Sequence, residues 1–278
     1  MSKLFIFGQG FCGQELAKRQ RALGWTVIGT HRASTEKDDD WVFDRDHPLP
    51  KSALADITHV VASIPPDEQG DPALEWMMRF GPWPALRWIG YLSTTGVYGD
   101  HGGAWVTEES ELRAQAGRSA RRILAERRWL ESGLPIHVFR LPGIYGPGRS
   151  ALEQVESGAA HRVIRPGQLF GRIHVADVAN AVAASMARPN PGAIFNVADD
   201  EPALPSDVVA YAAQLLGVAP PPELTWEQAQ TALSPMALSF YADNKKVDNT
   251  RLKQELGVTL LYPNFRVGLS ALLQERMG

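Results

Sequence analysis

The chain lacks the features that mark several protein classes. It has one cysteine, Cys12, among 278 residues, which excludes an internal disulfide framework and a metal site built from several cysteines. Residues 4–7 form an apolar run too short for a signal peptide, and no stretch approaches the ~18 apolar residues of a transmembrane helix. The seven histidines show no metal-ligand spacing. These absences predict a cytoplasmic protein without a metal site or a membrane partner.

The chain also has no excess of charge of either sign. There are 28 basic and 31 acidic residues, a net charge of -3, so no global field attracts nucleic acid. A hydrophobic content of 44% with 21% charged residues is typical of a folded domain and excludes a disordered chain. The 25 glycines and 20 prolines are slightly in excess and gather at particular turns without any repeat, which excludes a collagen-like chain.

Short apolar runs alternate with longer helical patterns, which predicts an α/β fold with a parallel sheet. Helices are predicted at residues 11–23 and 118–131, and they dominate from residue 206 onward. We predict a Rossmann-like, doubly wound parallel sheet with a smaller, mostly helical C-terminal substrate part. The core would span residues 1–150, completed by about 173–197, and the smaller part would span 151–172 and 198–278. Strands are predicted at residues 4–7, 25–29, 41–43, 58–64, 86–92, 136–141 and 193–197.

The strongest local pattern is Gly8-Gln9-Gly10-Phe11-Cys12-Gly13, after the first predicted strand and at the start of a helix. In such a turn the first glycine allows the bend and the second lets the backbone approach a pyrophosphate. The third lets the helix pack close to the strand, while the helix N-terminus favours an anion. We therefore predict that these six residues bind a dinucleotide. Cys12 at a helix start could be a thiolate, but a small buried apolar role is favoured.

The end of the second predicted strand indicates which dinucleotide binds. NAD sites commonly carry an acid there for the ribose 2′-hydroxyl, whereas this chain reads Thr30-His31-Arg32. Arg32 suits a 2′-phosphate, and Thr30 or Ser34 could add hydrogen bonds. NADP is therefore favoured over NAD, with the alternative that Arg32 is a solvated loop residue.

Four further blocks follow in order along the chain: residues 91–100 around Ser93-Thr94-Thr95-Gly96, residues 140–148 around Pro142-Gly143-Ile144-Tyr145, residues 172–179 from Arg172 to Ala179, and Phe195-Asn196-Val197-Ala198. With the glycine turn, these blocks resemble the extended short-chain dehydrogenase/reductases, the NAD-dependent epimerase/dehydratase superfamily. The resemblance covers nearly the whole chain, and it is specific for the superfamily but not for a reaction.

The resemblance implies roles for individual positions. Thr94 matches the residue that holds the substrate oxygen, with Ser93 and Thr95 beside it as substrate contacts. Arg149, Arg172 and His174 would lie near the substrate, the two arginines facing an anionic group, although His174 needs no role if it is a core residue. The implied cofactor contacts are Asp44 near the adenine, Ser63, Ile64 and Pro65 after the fourth strand, and Pro142 and Ile144 at the nicotinamide end.

One family element is missing: the Tyr-x-x-x-Lys pair whose tyrosine is the general acid/base. Anchoring the helix on Glu126 puts Arg118 and Arg122 at the two positions, and a register shifted by two puts Ala116 and Ala120 there. Arginine keeps its proton at ordinary pH, so Arg118 cannot transfer one, whereas Arg122 could hold a ribose or an anionic group.

Three tyrosines bear on the missing acid. Tyr98 and Tyr145 are candidate substitutes, although packing beneath a turn is the favoured interpretation of both. The only Tyr-x-x-x-Lys of the chain, Tyr241 to Lys245, lies in the C-terminal part and is attributed to chance. Loss of the pair is typical of an atypical subgroup of the superfamily.

Two functions follow from these patterns. The first is an NADP-dependent oxidoreductase or epimerase/dehydratase-like enzyme acting on a small polar or sugar-like substrate with non-standard proton-transfer residues. The second is a non-catalytic NAD(P)-binding sensor or regulatory protein. The arginines of residues 113–128 are attributed to a partly solvated helix rather than to nucleic-acid binding. The resemblance implies that this helix can form a homodimer interface.

Overall fold

The computed structural model describes residues 2–32 and 40–277, so the predicted contact of Ser34 lies outside the described residues. Most strands lie within about two residues of the apolar runs predicted from the sequence, several of which end at a glycine, a proline or a charged residue. The strands in chain order are β1 Lys3–Phe7, β2 Thr26–His31, β3 Asp40–Val42, β4 His59–Ala62, β5 Trp88–Thr94, β6 Trp105–Val106, β7 Ile136–Leu141, β8 Gly143–Tyr145, β9 Arg162–Val163, β10 Arg172–His174, β11 Ile194–Asn196, β12 Glu223–Leu224 and β13 Lys246–Val247.

Seven of these strands form one sheet in the order β11-β7-β5-β4-β1-β2-β3, with every neighbouring pair parallel. The chain therefore starts in the middle, builds outward through β2 and β3, and returns to build the other half from β4. This reversal lies between β1 and β4, where the carboxyl ends of parallel strands leave a crevice for a ligand. The predicted Rossmann-like doubly wound sheet is confirmed.

Helices cover both faces of the sheet, as a parallel sheet requires. The helices are α1 Phe11–Ala22, α2 Pro72–Phe80, α3 Gly117–Leu130, α4 Ala151–Glu156, α5 Val175–Ala187, α6 Pro205–Leu215, α7 Trp226–Ala232, α8 Pro235–Ser239, α9 Thr250–Leu256 and α10 Phe265–Met277. One buried cluster joins the sheet to α1, α5 and α9, and a second joins the other face to α2 and α3. Each strand of the centre is therefore buried on both sides, which explains its uninterrupted apolar run.

The last part of the chain adds a third cluster beside the strand ends. Helices α4, α6 and α10 pack around Leu152, Phe265 and Leu269, and Tyr145 of β8 reaches into the same cluster. The remaining short strands form two-stranded pairs, β8 with β10, β9 with β12 and β6 with β13. In the part of the chain that the structure describes, no helix combines the length and the apolar character that crossing a membrane requires.

Candidate functional site

A large cleft runs along the carboxyl ends of the central strands. Its volume is about 1810 Å³, and its walls come from the turn after β1, the ends of β2, β4 and β5, helix α3, the β8 loop and the C-terminal helices. Pockets for one small ligand measure roughly 300–1,000 Å³. The cleft is therefore large enough for a cofactor and a second molecule together.

The glycine turn at one end of the cleft has three positions with different geometry. Gly8 has a φ of +84°, and a Cβ there would lie 2.9 Å from the Ile64 side chain. A Cβ on Gly13 would lie 3.0 Å from the Gly8 carbonyl oxygen, so helix and turn touch there. Gly10 is the opposite case, because a Cβ would meet nothing within 4 Å. The first and third glycines close the turn, whereas the second leaves open space beside the start of α1.

The turn is held by two side chains that the sequence predicted as cofactor contacts. The Gly8 N–H donates to Thr30 Oγ1 at 2.9 Å, and the Gln9 N–H donates to the Thr30 carbonyl at 2.8 Å. Ser63 Oγ donates to the Gly8 carbonyl at 2.7 Å. Both residues line the cleft, but their side-chain oxygens already serve the turn. They shape the glycine-turn end of the cleft from below.

The end of β2 carries a cation in place of an acid. His31 ends the strand, and Arg32 follows it, exposed on the cleft wall with no ion pair among the described residues. Asp44 lies on the next strand end and accepts hydrogen bonds from His47 Nδ1 and from the N–H groups of Asp46 and His47. These donors lower the pKa of the Asp44 carboxyl, His47 contributing most. Asp44 therefore remains an acceptor near this end of the cleft.

Helix α3 presents an arginine-rich face to the cleft. Arg118, Ser119, Arg121 and Arg122 all line it, and this spacing corresponds to one face of a helix. Of the two registers considered for the missing pair, the one anchored on Glu126 places both its residues, Arg118 and Arg122, on the cleft wall. Arg122 Nη1 donates to the Leu92 carbonyl at 2.8 Å and to the Tyr91 hydroxyl at 3.0 Å. Its guanidinium is thereby fixed at the end of β5.

Thr94 and Ser119 both lie beside Gly96, where β5 approaches α3. The Gly96 N–H donates to Thr94 Oγ1 at 3.1 Å, which leaves the hydroxyl hydrogen of Thr94 available to a ligand. A Cβ on Gly96 would lie 2.6 Å from Ser119 Oγ, so only glycine lets the helix come this close. Thr95 also lines the cleft. Two hydroxyl groups thus face the cleft beside the arginines of α3.

The β8 loop forms the opposite wall. Pro142, Ile144 and Tyr145 line the cleft, as the resemblance implied for the first two as cofactor contacts. Arg149, predicted as a substrate contact, also lines it, but its guanidinium lies over the Phe11 ring with 5.4 Å to the centroid. Because Phe11 begins α1, Arg149 lies at the glycine-turn end of the cleft.

Tyr98 and Ser93 do not reach the cleft, which corrects their predicted roles in catalysis and substrate binding. Both are buried in a polar network beneath it. The Tyr98 hydroxyl donates to Asn196 Oδ1 at 2.7 Å and accepts from Arg140 Nη1 at 3.0 Å. Ser93 Oγ donates to a Glu126 carboxylate oxygen. Burial raises the pKa of Tyr98, so this hydroxyl keeps its proton and ties strands to α3.

His174 and Tyr145 are occupied by the fold. His174 is buried, accepts from the Ala176 N–H at the start of α5, and lies 3.9 Å from the Tyr262 ring centroid. Burial lowers the pKa of His174 to about 4, so the ring is neutral at ordinary pH, and His174 does not line the cleft as its predicted substrate role requires. The Tyr145 hydroxyl lies 3.5 Å from the Asn264 carbonyl, and burial raises its pKa. The Tyr145 ring therefore borders the cleft, whereas its hydroxyl group lies near the Asn264 carbonyl and is not a free acid.

Three fingerprint residues support the turn without lining the cleft. Gly13 is buried against β1, and the Phe11 ring packs under Arg149. Burial raises the pKa of the Cys12 thiol to about 11, so the favoured interpretation of this residue as a small buried apolar group fits. Any contact of residues 11–13 with a ligand would come from their backbone N–H groups.

Several residues of the cleft wall were not predicted from the sequence. Arg45 and the apolar residues of α6 and α10 line the cleft without any local motif to mark them. Tyr241 and Lys245, which the sequence placed away from the crossover helix, also line it. They lie on a turn before β13 rather than on a helix, and Lys245 Nζ donates to the Gly99 carbonyl at 2.9 Å and pairs with Asp243 at 3.3 Å. The pairing of β13 with β6 brings this segment to the cleft.

The cleft wall is basic although the whole chain carries a net charge of -3. Arginine and lysine side chains outnumber aspartates on the wall eight to four. Asp67 is paired with Arg45 at 2.7 Å and Asp243 with Lys245. Arg32, Arg118 and Arg149 have no ion pair among the described residues, so the cleft suits a ligand that carries several negative charges.

Comparisons with known proteins place this arrangement in context. No protein-family model matches the chain. The chain is similar to a functionally unknown conserved protein from Silicibacter pomeroyi DSS, at 45% identity and a TM-score of 0.91 over 99% of both chains. A structure from Methylobacillus flagellatus, provisionally named an NAD-dependent epimerase/dehydratase, is 25% identical with a TM-score of 0.74, covering 100% of this chain and 99% of that one. Protein YeeZ from Escherichia coli K12 is 26% identical over 95% of this chain and 97% of its own length.

Proposed function

The chain belongs to the extended short-chain dehydrogenase/reductases, the NAD-dependent epimerase/dehydratase superfamily, and on that premise we propose that it binds NADP in this cleft and catalyses hydride transfer with a carbonyl substrate. The observation that supports this proposal most strongly is the geometry of the glycine turn. Gly10 alone of the three fingerprint glycines leaves open space, and it does so beside the first N–H groups of α1. No side chain caps these N–H groups, and the first turn of α1 carries no acid that would repel a phosphate.

The preference for NADP rests on Arg32. Its exposed guanidinium follows β2 directly and has no carboxylate partner among the described residues. A 2′-phosphate would give this group a charge-assisted hydrogen bond, whereas NAD would leave it in solvent. The Arg149 guanidinium lies over the Phe11 ring and is a second cation, beside the start of α1. The pyrophosphate would therefore lie between Arg149 and the N–H groups at the start of α1.

The chemistry proposed for the chain's own groups involves two hydroxyls. Bound NADPH supplies the hydride. The Thr94 hydroxyl would donate a hydrogen bond to the carbonyl oxygen of the substrate. Its hydrogen is available for this because Thr94 Oγ1 accepts its other hydrogen bond, from the Gly96 N–H. Ser119 offers a second hydroxyl on the same wall. Arg122 holds positive charge near the developing alkoxide, and the proton comes from solvent because no arginine of α3 can give one up.

A second function, a non-catalytic NADP sensor, is favoured by the same helix. In the register anchored on Glu126, Arg118 and Arg122 take the places of the superfamily's tyrosine and lysine, and both line the cleft. An arginine at the tyrosine position removes the usual general acid, which contributes typically about 10²–10⁴-fold to the rate. A protein that only reports the cofactor would need the binding groups and not the acid.

One experiment separates the two functions. Protein loaded with NADPH is mixed with a panel of aldehydes, ketones, oxo acids and sugar nucleotides while nicotinamide absorbance is followed. The enzyme is supported by oxidation that slows by about 10²-fold in Thr94→Val, since one hydrogen-bond donor to an oxyanion is worth about that much. Tight binding of NADPH without oxidation by any compound would favour the sensor. Failure to bind either dinucleotide would refute both.

A further inference from the structure

The far half of the cleft differs chemically from the half assigned to the dinucleotide. Its walls come from the C-terminal part of the chain, including Val208 and Val209 of α6, Phe265 and Leu269 of α10, and Phe240 after α8. Phe170 and Tyr241 add an aromatic surface, their ring centroids 5.1 Å apart. This half therefore presents aliphatic and aromatic carbon to whatever occupies it.

One arginine stands at the inner end of this apolar half. Arg172 lines the cleft, and its strand pairs in register with Gly143, which places it beside the β8 loop. Its Nη1 donates to the Phe170 carbonyl at 2.9 Å and to the Ala203 carbonyl at 3.2 Å. These bonds fix the guanidinium and leave its other nitrogens to a ligand. Arg172 has no ion pair among the described residues.

Among the described residues, no carboxylate is in contact with the Arg172 guanidinium. Asp199 is the acid whose charge acts most strongly on Arg172, but neither of its buried carboxylate oxygens is hydrogen-bonded to a side chain of the described residues. Burial raises the pKa of Asp199 to about 8, although Arg172 acts in the opposite direction. Neither Asp199 oxygen contacts the Arg172 guanidinium, so among the described residues this cation has no carboxylate partner.

Taken with the proposed function, on which this inference rests, these contacts lead us to propose a substrate class: an organic carboxylate with an apolar body, of the oxo-acid type, whose carboxylate binds Arg172. Its carbon skeleton would contact the aromatic and aliphatic wall. A sugar fits this half poorly, because its hydroxyl groups need partners on several sides. Apart from Arg172, the polar groups here are Gln154, His161, the Tyr241 hydroxyl and a Lys245–Asp243 pair that is already satisfied.

The test uses NADPH-loaded protein and four probes, measured by calorimetry. 3-Phenylpropanoate carries both the carboxylate and the apolar body. 3-Phenylpropanamide keeps the body without the charge, acetate keeps the charge without the body, and UDP-glucose represents the sugar nucleotides. We expect 3-phenylpropanoate to bind about ten-fold or more tightly than each of the other three, because a carboxylate–arginine contact and apolar burial each strengthen binding. Equal affinity for the acid and its amide, tighter binding of UDP-glucose, or binding of none of the probes would overturn the proposal.

Variants locate the charge. Arg172→Gln is expected to weaken 3-phenylpropanoate about ten-fold while leaving the amide unchanged. Arg162→Gln is the matched control, because Arg162 belongs to the same part of the chain, pairs with Glu223 and does not line the cleft. If Arg172→Gln fails to fold, Phe240→Glu replaces it, since Phe240 is 59% exposed and a negative charge there should repel the acid but not the amide. An unchanged acid affinity in the folded variant contradicts the proposal.

Titration of each protein with NADPH alone distinguishes failure of the proposed substrate class from failure of the proposed function. Wild type and Arg172→Gln should bind NADPH equally, because Arg172 lies in the other half of the cleft. If NADPH binds and 3-phenylpropanoate does not, the substrate class is wrong while the proposed function stands. If NADPH itself does not bind, the proposed function fails first.

Discussion

Glu126 of α3 and Arg140 of β7 form a buried ion pair in which Arg140 Nη2 lies 2.8 Å from Glu126 Oε2 and each side chain is only 3% exposed. Arg140 Nε also approaches both carboxylate oxygens, at 3.3 and 3.2 Å. Arg122 lies four residues before Glu126 and therefore on the same side of α3. The pair thereby joins α3 to β7 beneath the cleft that Arg122 lines.

Loss of one partner of this pair should be costly. Glu126→Gln is expected to lower the free energy of unfolding by about 3 kcal/mol or more, since it leaves the Arg140 charge buried without a counter-charge. Urea denaturation measures the change. The double variant Glu126→Leu, Arg140→Met should recover part of the loss because it removes both charges. Arg127→Gln, which breaks the exposed Arg127–Glu131 pair, should leave the stability unchanged. A double variant less stable than Glu126→Gln would contradict this account.

Tyr98→Phe tests the structural role assigned to a residue that the sequence made a candidate acid. Its hydroxyl joins Arg140 and Asn196 in a fully buried position. We expect the variant to lose about 1–3 kcal/mol of stability, because two buried partners lose a hydrogen bond. NADPH affinity and any turnover should not change at temperatures where the variant is folded. A variant that keeps its stability but loses turnover would restore Tyr98 as a catalytic candidate.

Two glycine variants should separate folding from binding. Gly10→Ala points a methyl group into open space at an ordinary backbone conformation, so it should cost at most about 1 kcal/mol of stability. It should nevertheless weaken NADPH about ten-fold or more, because the methyl group occupies the room proposed for the pyrophosphate. Gly8→Ala should behave oppositely, losing about 1–2 kcal/mol or more through its positive φ and its contact with Ile64. Normal NADPH affinity in Gly10→Ala would exclude the turn as the binding site.

The buried carboxyl of Asp199 should make the stability pH-dependent. Its pKa is raised from the ordinary 3.8 to about 8 by burial, so the folded state binds this proton more tightly than the unfolded state. The stabilisation is fully present below about pH 4 and is lost as the pH rises through about 8, by up to about 1.4 kcal/mol per pH unit. Asp199→Asn cannot ionise and should gain stability relative to wild type between about pH 5 and about pH 8. Parallel denaturation curves for the two proteins across that range would contradict the assignment.

Much of the fold could be predicted from the sequence, because the central strands are apolar runs with clear ends. The run at residues 136–141 matches β7 in both bounds, and residues 11–23 match α1 to within one residue. The two-residue strands could not be predicted, since a pair such as β9 with β12 has no periodicity to detect and depends on distant packing. Thr58–Ile64 was predicted too long because Ser63 and Ile64 turn toward the cleft instead of continuing β4.

The candidate site was predictable to a lesser extent. The glycine turn has a local pattern with a physical reason at each position, so its geometry followed from residues 8–13 alone. Tyr98 was misplaced because a glycine-rich turn does not reveal whether a neighbouring side chain points inward or outward. The apolar wall of α6 and α10 was missed because its residues face a core and a cleft with the same amphipathic pattern.

Paired titrations test most directly whether the arginine at the end of β2 selects NADP. Wild type and Arg32→Gln are each titrated with NADPH and NADH, following quenching of tryptophan fluorescence, with Arg19→Gln on the far end of α1 as the matched control. We predict that wild type binds NADPH about ten-fold or more tightly than NADH, that Arg32→Gln loses this preference by weakening NADPH alone, and that Arg19→Gln retains it. Equal affinity of wild type for the two dinucleotides, or no binding of either, would contradict the account.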